Sequence, residues 1–163
     1  MHTIEGAGKA PGFRFALVVS RYHDFVTDRL QAGALEALVA SEVAADDVTV
    51  IKVPGAFEIP AAAQRAAETR RFDAVVCLGC VIRGGTPHFE YLASAVAQGI
   101  TNAAAATGIP MAFGILTTNS VEEALERAGT HSANKGWEAA AAAVEMATLM
   151  KRIGRPPAPG IPV

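Results

Sequence analysis

The nine residues 74–82, AVVCLGCVI, carry no charged side chain, and no other stretch restricts the fold as much. An apolar run of this length is too short to span a membrane and predicts a strand buried on both faces. Such strands belong to parallel sheets, where crossover helices cover both sides. Residues 13–19, 48–53 and 110–116 form three further apolar strand patterns. Helical patterns lie between and after them at 24–40, 61–69, 89–107, 121–128 and 135–152. This alternation predicts one α/β domain, an open four-stranded parallel sheet with helices on both faces. Phe25, Leu30, Ala34, Leu35 and Leu38 are expected to turn the first helix toward the sheet, and Trp137, Val144, Met146, Leu149 and Ile153 to anchor the last.

At 163 residues and 51% hydrophobic, the chain can bury one core. Residues 1–12, with Gly6, Gly8, Pro11 and Gly12, read as an irregular leader and 13–153 as the α/β domain. Residues 154–163 read as a mobile or extended tail, because Pro156, Pro157, Pro159 and Pro162 exclude regular structure. Fourteen basic and sixteen acidic residues give a net charge of -2 with no basic block, which argues against nucleic-acid and membrane-surface partners. With no basic-then-apolar leader and no apolar run of spanning length, the expected location is the cytoplasm, with no membrane partner.

Cys77 and Cys80 form a CxxC spacing, but redox pairs of that spacing usually open a helix. An offset of three along a strand instead sends the thiols to opposite faces, so both read as buried. No second pair or histidine stands at zinc-ligand spacing, and no metal is expected.

Ligands of open α/β sheets bind beyond the carboxyl ends of the strands. After the third strand comes Arg83-Gly84-Gly85-Thr86-Pro87-His88. The glycines let backbone N–H groups approach an anion, and the positive end of the next helix points to the same place. Thr86 is expected as its N-cap and Pro87 as its first residue, with His88 in the first turn able to move protons near neutral pH. A plain loop and a surface histidine fit the same residues. Tyr22, leaving the first strand, can stack on a planar ligand or cap the core. Glu58, ahead of the helix that Pro60 opens, can accept hydrogen bonds from ligand hydroxyls, although spacing alone favours a helix-dipole partner. Ser120 and Glu123 make a capping-box pattern for a helix ending at Gly129. Arg127 in its last turn reads by default as a dipole partner or as an ion pair with Glu123.

The segments SRYHDF, VPGAFEIP, LGCVIRGGTPHFEY, FGILTTN, ERAGT and NKGWEAA, in this order and spacing, resemble the lumazine synthase family of riboflavin biosynthesis. The likeness runs from Phe13 to Lys151. It implies a flavodoxin-like, three-layer α/β/α fold and condensation of 5-amino-6-(D-ribitylamino)uracil with 3,4-dihydroxy-2-butanone 4-phosphate, releasing phosphate and water without a cofactor. By the resemblance Tyr22 stacks on the pyrimidine, Ala56, Phe57 and Glu58 hold it and its ribityl chain, and the main chain of Cys80, Val81 and Ile82 addresses its ring. Gly85, Thr86 and Arg127 correspond to phosphate contacts and His88 to the proton-transfer residue. Phe113 corresponds to a residue completing a neighbour's pocket, and Lys135 lies in a segment approaching the same area. Tyr22 stands where Phe or Trp is more usual, His23 where Asn is common, and Cys80 where Thr or a small apolar residue is frequent. The implied partners are the small-molecule substrates, riboflavin synthase, and further copies of the chain. The copies would form pentamers, with the uninterrupted segment 129–136 favouring a 60-subunit shell over a free pentamer or decamer. A flavin- or lumazine-binding homologue without turnover and a shell protein are the competing classes; His88 and Arg127, which storage does not need, favour the enzyme.

Overall fold

The computed structural model describes residues 1–154. Four parallel strands, β1 (Phe15–Ser20), β2 (Val48–Val53), β3 (Ala74–Ile82) and β4 (Met111–Thr118), form one sheet in the order β2-β1-β3-β4. Helices α1 (Asp24–Ala40), α2 (Ile59–Glu68), α3 (His88–Thr107), α4 (Val121–Arg127) and α5 (Lys135–Ile153) connect and follow them. The architecture is therefore the expected three-layer α/β/α, flavodoxin-like arrangement.

The central pair β1 and β3 is covered on both sides. On one face Leu17, Val19, Val76, Leu78 and Cys80 pack against Leu30, Leu38, Val144 and the alanines of α5. On the other, Val18, Val75, Cys77 and Val81 pack against Ile59 and Ala63 of α2 and Val96 and Ile100 of α3. Alternation along β3 thus sends Cys77 and Cys80 into different cores. Both thiols are free, and burial pushes them up, to about 12 for Cys77 and about 11 for Cys80.

Gly79 lies on the α2 face, where a Cβ would come 2.9 Å from Cδ1 of Ile59. Its bare backbone lets Ile59, fully buried, seat the start of α2 directly on β3, a contact of roughly 1.5–3 kcal/mol for full burial of such a side chain. This close approach holds residues 56–58 over the carboxyl end of the sheet.

The helix faces differ from the periodicity reading in detail. Phe25 is 46% exposed and Leu35 half-buried, while Val26, Thr27, Gly33 and Ala37 join Leu30, Ala34 and Leu38 in the contact face of α1. In α5 only Val144 among the expected anchors is buried; Met146 and Ile153 are exposed, and Ala139, Ala140, Ala143 and Ala147 form the buried stripe. Small residues win because α5 lies close against α1, where large side chains would force the backbones apart. Pro87 is the N-cap of α3 and His88 its first residue, one position later than expected, and Thr86 does not cap it. Ser120 does cap α4, its Oγ accepting from the N–H of Glu123 at 3.2 Å, but the Glu123 carboxylate accepts from Asn119 rather than Ser120. Residues 1–12 form no helix or strand, yet Ala7 bonds Thr148 and Ala10 is fully buried against the core. The Pro-rich stretch from 155 onward lies outside the described residues.

Asn134, 2% exposed, joins the two long helices of one face. Its Oδ1 accepts from the N–H groups of Gly136 and Trp137, capping α5, while Nδ2 donates to the carbonyls of Arg29 at 3.0 Å and Gly129 at 2.8 Å. Every hydrogen-bonding capacity of the side chain is used. Asn134→Ala loses the cap and strands buried acceptors, an expected cost of about 3 kcal/mol, seen as a fall in thermal midpoint of about 6–12 °C. Asn134→Asp, which keeps the cap but sets a carboxylate against two carbonyl oxygens, should not restore it. For the thiols, a disulfide-exchange reagent at pH 8 should release almost no chromophore from the folded protein and two equivalents in denaturant, because pKa values raised to about 12 and about 11 leave little thiolate.

Candidate active site

The chain leaves β1 for β2 on one side and reaches β3 on the other, so the crevice beyond the ends of β1 and β3 is where such a sheet receives a ligand. A cavity of about 800 Å³ opens there. The ladder continues past the strand ends to build it: Tyr22 donates its N–H to the carbonyl of Pro54 at 3.0 Å and Arg83 to that of Thr118 at 2.8 Å. Tyr22, Ala56, Phe57, Glu58, Cys80, Val81, Ile82, Thr86 and His88 all line this cavity. Gly85 lies between Gly84 and Thr86, both lining residues.

Tyr22 is 67% exposed and Phe57 66%, so neither ring belongs to the core. Two large aromatic faces left to solvent beside a pocket offer a planar heterocycle its stacking partners. Tyr22 also meets the His23 ring at a centroid distance of 4.4 Å, and burial holds the His23 imidazole below its ordinary range. Glu58 Oε2 accepts from the N–H of Gly55 at 3.0 Å, which fixes the carboxylate at the head of α2 while its exposed side still faces the cavity. A fixed, exposed carboxylate accepts hydrogen bonds from hydroxyl groups without having to be ordered first.

Gly84 and Gly85 have no reason within the chain to be glycine. Neither adopts a left-handed backbone, and among the described residues a Cβ on either would meet nothing within 4 Å. Nor, among the described residues, does an N–H group of Gly84, Gly85 or Thr86 donate a hydrogen bond. Free N–H groups beside the positive end of a 20-residue helix form a cradle for an anion, with His88 at the first position of that helix.

Phe113, Arg127 and Lys135 stand apart from this cavity. They line a second pocket, of about 250 Å³, on the flank of β4, with Phe113 on the outer face of the edge strand and 50% exposed. The expected ion pair of Arg127 with Glu123 does not form; the guanidinium reaches only the Glu123 carbonyl, at 3.5 Å. Lys135 donates to Glu138 at 2.8 Å. One chain therefore presents two separate groups: a cavity with aromatic faces, a carboxylate, free N–H groups and a histidine, and a flank with an exposed aromatic, a guanidinium and a lysine.

The sequence reading left out Arg83, which lines the cavity and bonds Asn119 and Glu90. A charged residue between a strand and two glycines reads as solvated, and only the return of β4 beside β3 brings Asn119 within its reach.

A sequence model of 6,7-dimethyl-8-ribityllumazine synthase matches residues 12–151. The chain is 52% identical over 149 residues to the 6,7-dimethyl-8-ribityllumazine synthase of Syntrophus aciditrophicus, covering 91% of this chain and 97% of that one. It is 50% identical, again over 149 residues, to the enzyme of that name from Desulfatibacillum aliphaticivorans, with 91% and 96% covered. Matches of this extent include every strand end that builds the cavity, and the chain belongs to the 6,7-dimethyl-8-ribityllumazine synthase family.

Proposed function

We propose that the chain catalyses the condensation of 5-amino-6-(D-ribitylamino)uracil with 3,4-dihydroxy-2-butanone 4-phosphate to 6,7-dimethyl-8-ribityllumazine. The observation that carries this reading is the convergence of stacking rings, a fixed carboxylate and an anion cradle on one cavity. Tyr22 and Phe57 sandwich or flank the pyrimidine, the main chain of Cys80, Val81 and Ile82 reads its edge, and Glu58 receives the ribityl hydroxyls. Gly85, Thr86 and the first turn of α3 hold the phosphate.

Bound this way, the amine meets the ketone as in an intramolecular reaction, which lowers the entropic part of the barrier. The amine nitrogen attacks the carbonyl carbon and water leaves to give the imine. Loss of the C3 proton and cleavage of the C4–O bond then eliminate phosphate, which the cradle stabilises as it departs, and leave an enol. The enol ketonises to a new carbonyl at C3, and attack on it by the second nitrogen closes the ring and expels another water. Each step moves a proton, and His88, beside the cradle, gives and takes it. The reaction needs no cofactor, since the carbonyl and the phosphate leaving group supply the electrophile and the driving force. Its two free buried thiols suit a reducing compartment, and the reading places the enzyme in the cytoplasm, handing product to riboflavin synthase.

The guanidinium beside the cradle, that of Arg83, is engaged by Asn119 and Glu90, and Arg127 lies on the far flank with Phe113. The two groups form one site if copies pack edge to face, Phe113, Arg127 and Lys135 of one copy closing the cavity of the next. A repeated heterologous contact of this kind closes into a ring, here a pentamer, and we favour twelve such rings in a 60-subunit shell.

Mixing both substrates with purified protein and following product absorbance tests the reading directly; no turnover overturns it. In that assay Arg127→Ala should raise KM for the butanone phosphate at least about tenfold with little change for the pyrimidine, because a guanidinium grips phosphate through paired charge-assisted bonds. His88→Ala should lower kcat by about 10²–10⁴-fold at most without abolishing it, positioning being intact. Assembly is read by light scattering at neutral pH: a species of 60 chains is expected, one of five chains would remove the shell but keep the shared site, and an active monomer would remove both.

A further inference from the structure

The anion loop, residues 84–87, is exposed throughout and among the described residues holds itself by no side-chain hydrogen bond. Its place is set from its ends. At the leading end Arg83 donates its backbone N–H to Thr118. Its side chain does more: Nε donates to Asn119 Oδ1 at 2.8 Å, a terminal nitrogen donates to the Glu90 carboxylate, and the guanidinium lies 4.5 Å over the Phe89 ring centroid. Asn119 is itself held, its N–H donating to Glu123 Oε2 at 2.9 Å. One planar group thus ties the strand before the loop, the first turn of the helix after it, and the turn following β4.

We propose that Arg83 is a positioning residue that fixes the anion loop against the first turn of α3 and the β4–α4 turn, without itself binding the phosphate. The inference deepens the phosphate assignment above and rests on it. Three observations favour a tie over a ligand. Two nitrogens and one face of the guanidinium are already engaged. The Glu90 carboxylate offsets its charge, and the hydrogen bond from Arg83 holds that carboxyl below its ordinary range. The pair is also about half exposed, at 46% and 52% of the side-chain surface, where ion pairs add little to fold stability. An arrangement of this geometric completeness with little to give the fold acts on what it surrounds, the loop.

The test compares Arg83→Met, which keeps the apolar stem over Phe89, with Glu90→Ala and the double variant. Each is titrated with inorganic phosphate by calorimetry and assayed for both Michaelis constants. Each single change should weaken phosphate binding and raise KM for the butanone phosphate by about five- to twentyfold, with KM for the pyrimidine within about twofold, since a small displacement of a binding group costs that order. The double variant should be no worse than Arg83→Met, because both remove one tie. Glu90→Ala is decisive: it makes the site more positive, so simple electrostatics predicts tighter phosphate binding. Tighter binding would overturn the proposal and make Arg83 an anion ligand restrained by Glu90. Equal changes in both Michaelis constants, or a lower melting temperature with unchanged affinities, would reduce the network to a structural one and also overturn it, as would unsubstituted protein that does not bind phosphate. If the unsubstituted protein binds phosphate but does not turn over the substrates, the lumazine synthase reading fails while the titration still decides the role of Arg83.

Discussion

A strand with helices on both sides has no exposed face on which to place function, and β3 is such a strand. All of it but Ile82 is buried. Chemistry is therefore pushed off its carboxyl end, and every element of the cavity takes its position from contacts with β3 or β1. Gly79 is the sharpest instance. By withholding a side chain it lets Ile59 sink onto the strand, and Ile59 begins the helix whose head carries Glu58. A Cβ there would come 2.9 Å from Cδ1 of Ile59 and force that side chain to shift from its seat on the strand.

Much of the cavity is main chain. In the proposed function the free N–H groups after β3 and the main chain of Cys80, Val81 and Ile82 do the recognising, and the Cys80 side chain is left to the core beneath α1 and α5. The side chains that the proposed function draws on, Tyr22, Phe57, Glu58 and His88, offer flat faces, a fixed negative charge and a proton carrier at the same cavity. The separation of Arg127 from the cradle follows from the same topology, since α4 hangs from the edge strand β4 and faces outward.

The strands and the order of elements were legible because each strand is a short, mostly apolar run and β3 an unbroken one; the bounds of β3 and α1 match the pattern to the residue. Helix faces were less legible. Periodicity marks large side chains, whereas the α1–α5 contact selects small ones, so Ala139, Ala140 and Ala143 carried no signal while Met146 did. Glu58 and Gly84-Gly85 were visible as candidates, and the meeting of the strand ends in space brings Glu58 and Gly84 to one cavity. Arg83 and Asn134 were missed in their tertiary roles, because Asn119 lies 36 residues from Arg83 and Arg29 lies 105 from Asn134, and only the fold brings them together.

His23 shows how a departure can satisfy one constraint and relax another. Its backbone is left-handed, φ 60° and ψ 48°, and its carbonyl accepts from the N–H groups of Val26 and Thr27 as α1 begins. Asn, Asp and His are the non-glycine residues that most readily take this conformation, which gives a physical reason for Asn being common here in the family and for His being acceptable. An asparagine side chain can also bond the open helix end; His23 makes no such side-chain cap. In exchange its ring fills the space between Tyr22 and Phe25, at 4.4 and 5.8 Å between centroids, the second contact edge-on. Thr27 closes the turn from the other side, its hydroxyl donating to the Ser20 carbonyl at 2.7 Å. The turn that places Tyr22 at the cavity is thus held by backbone geometry, one threonine and ring packing.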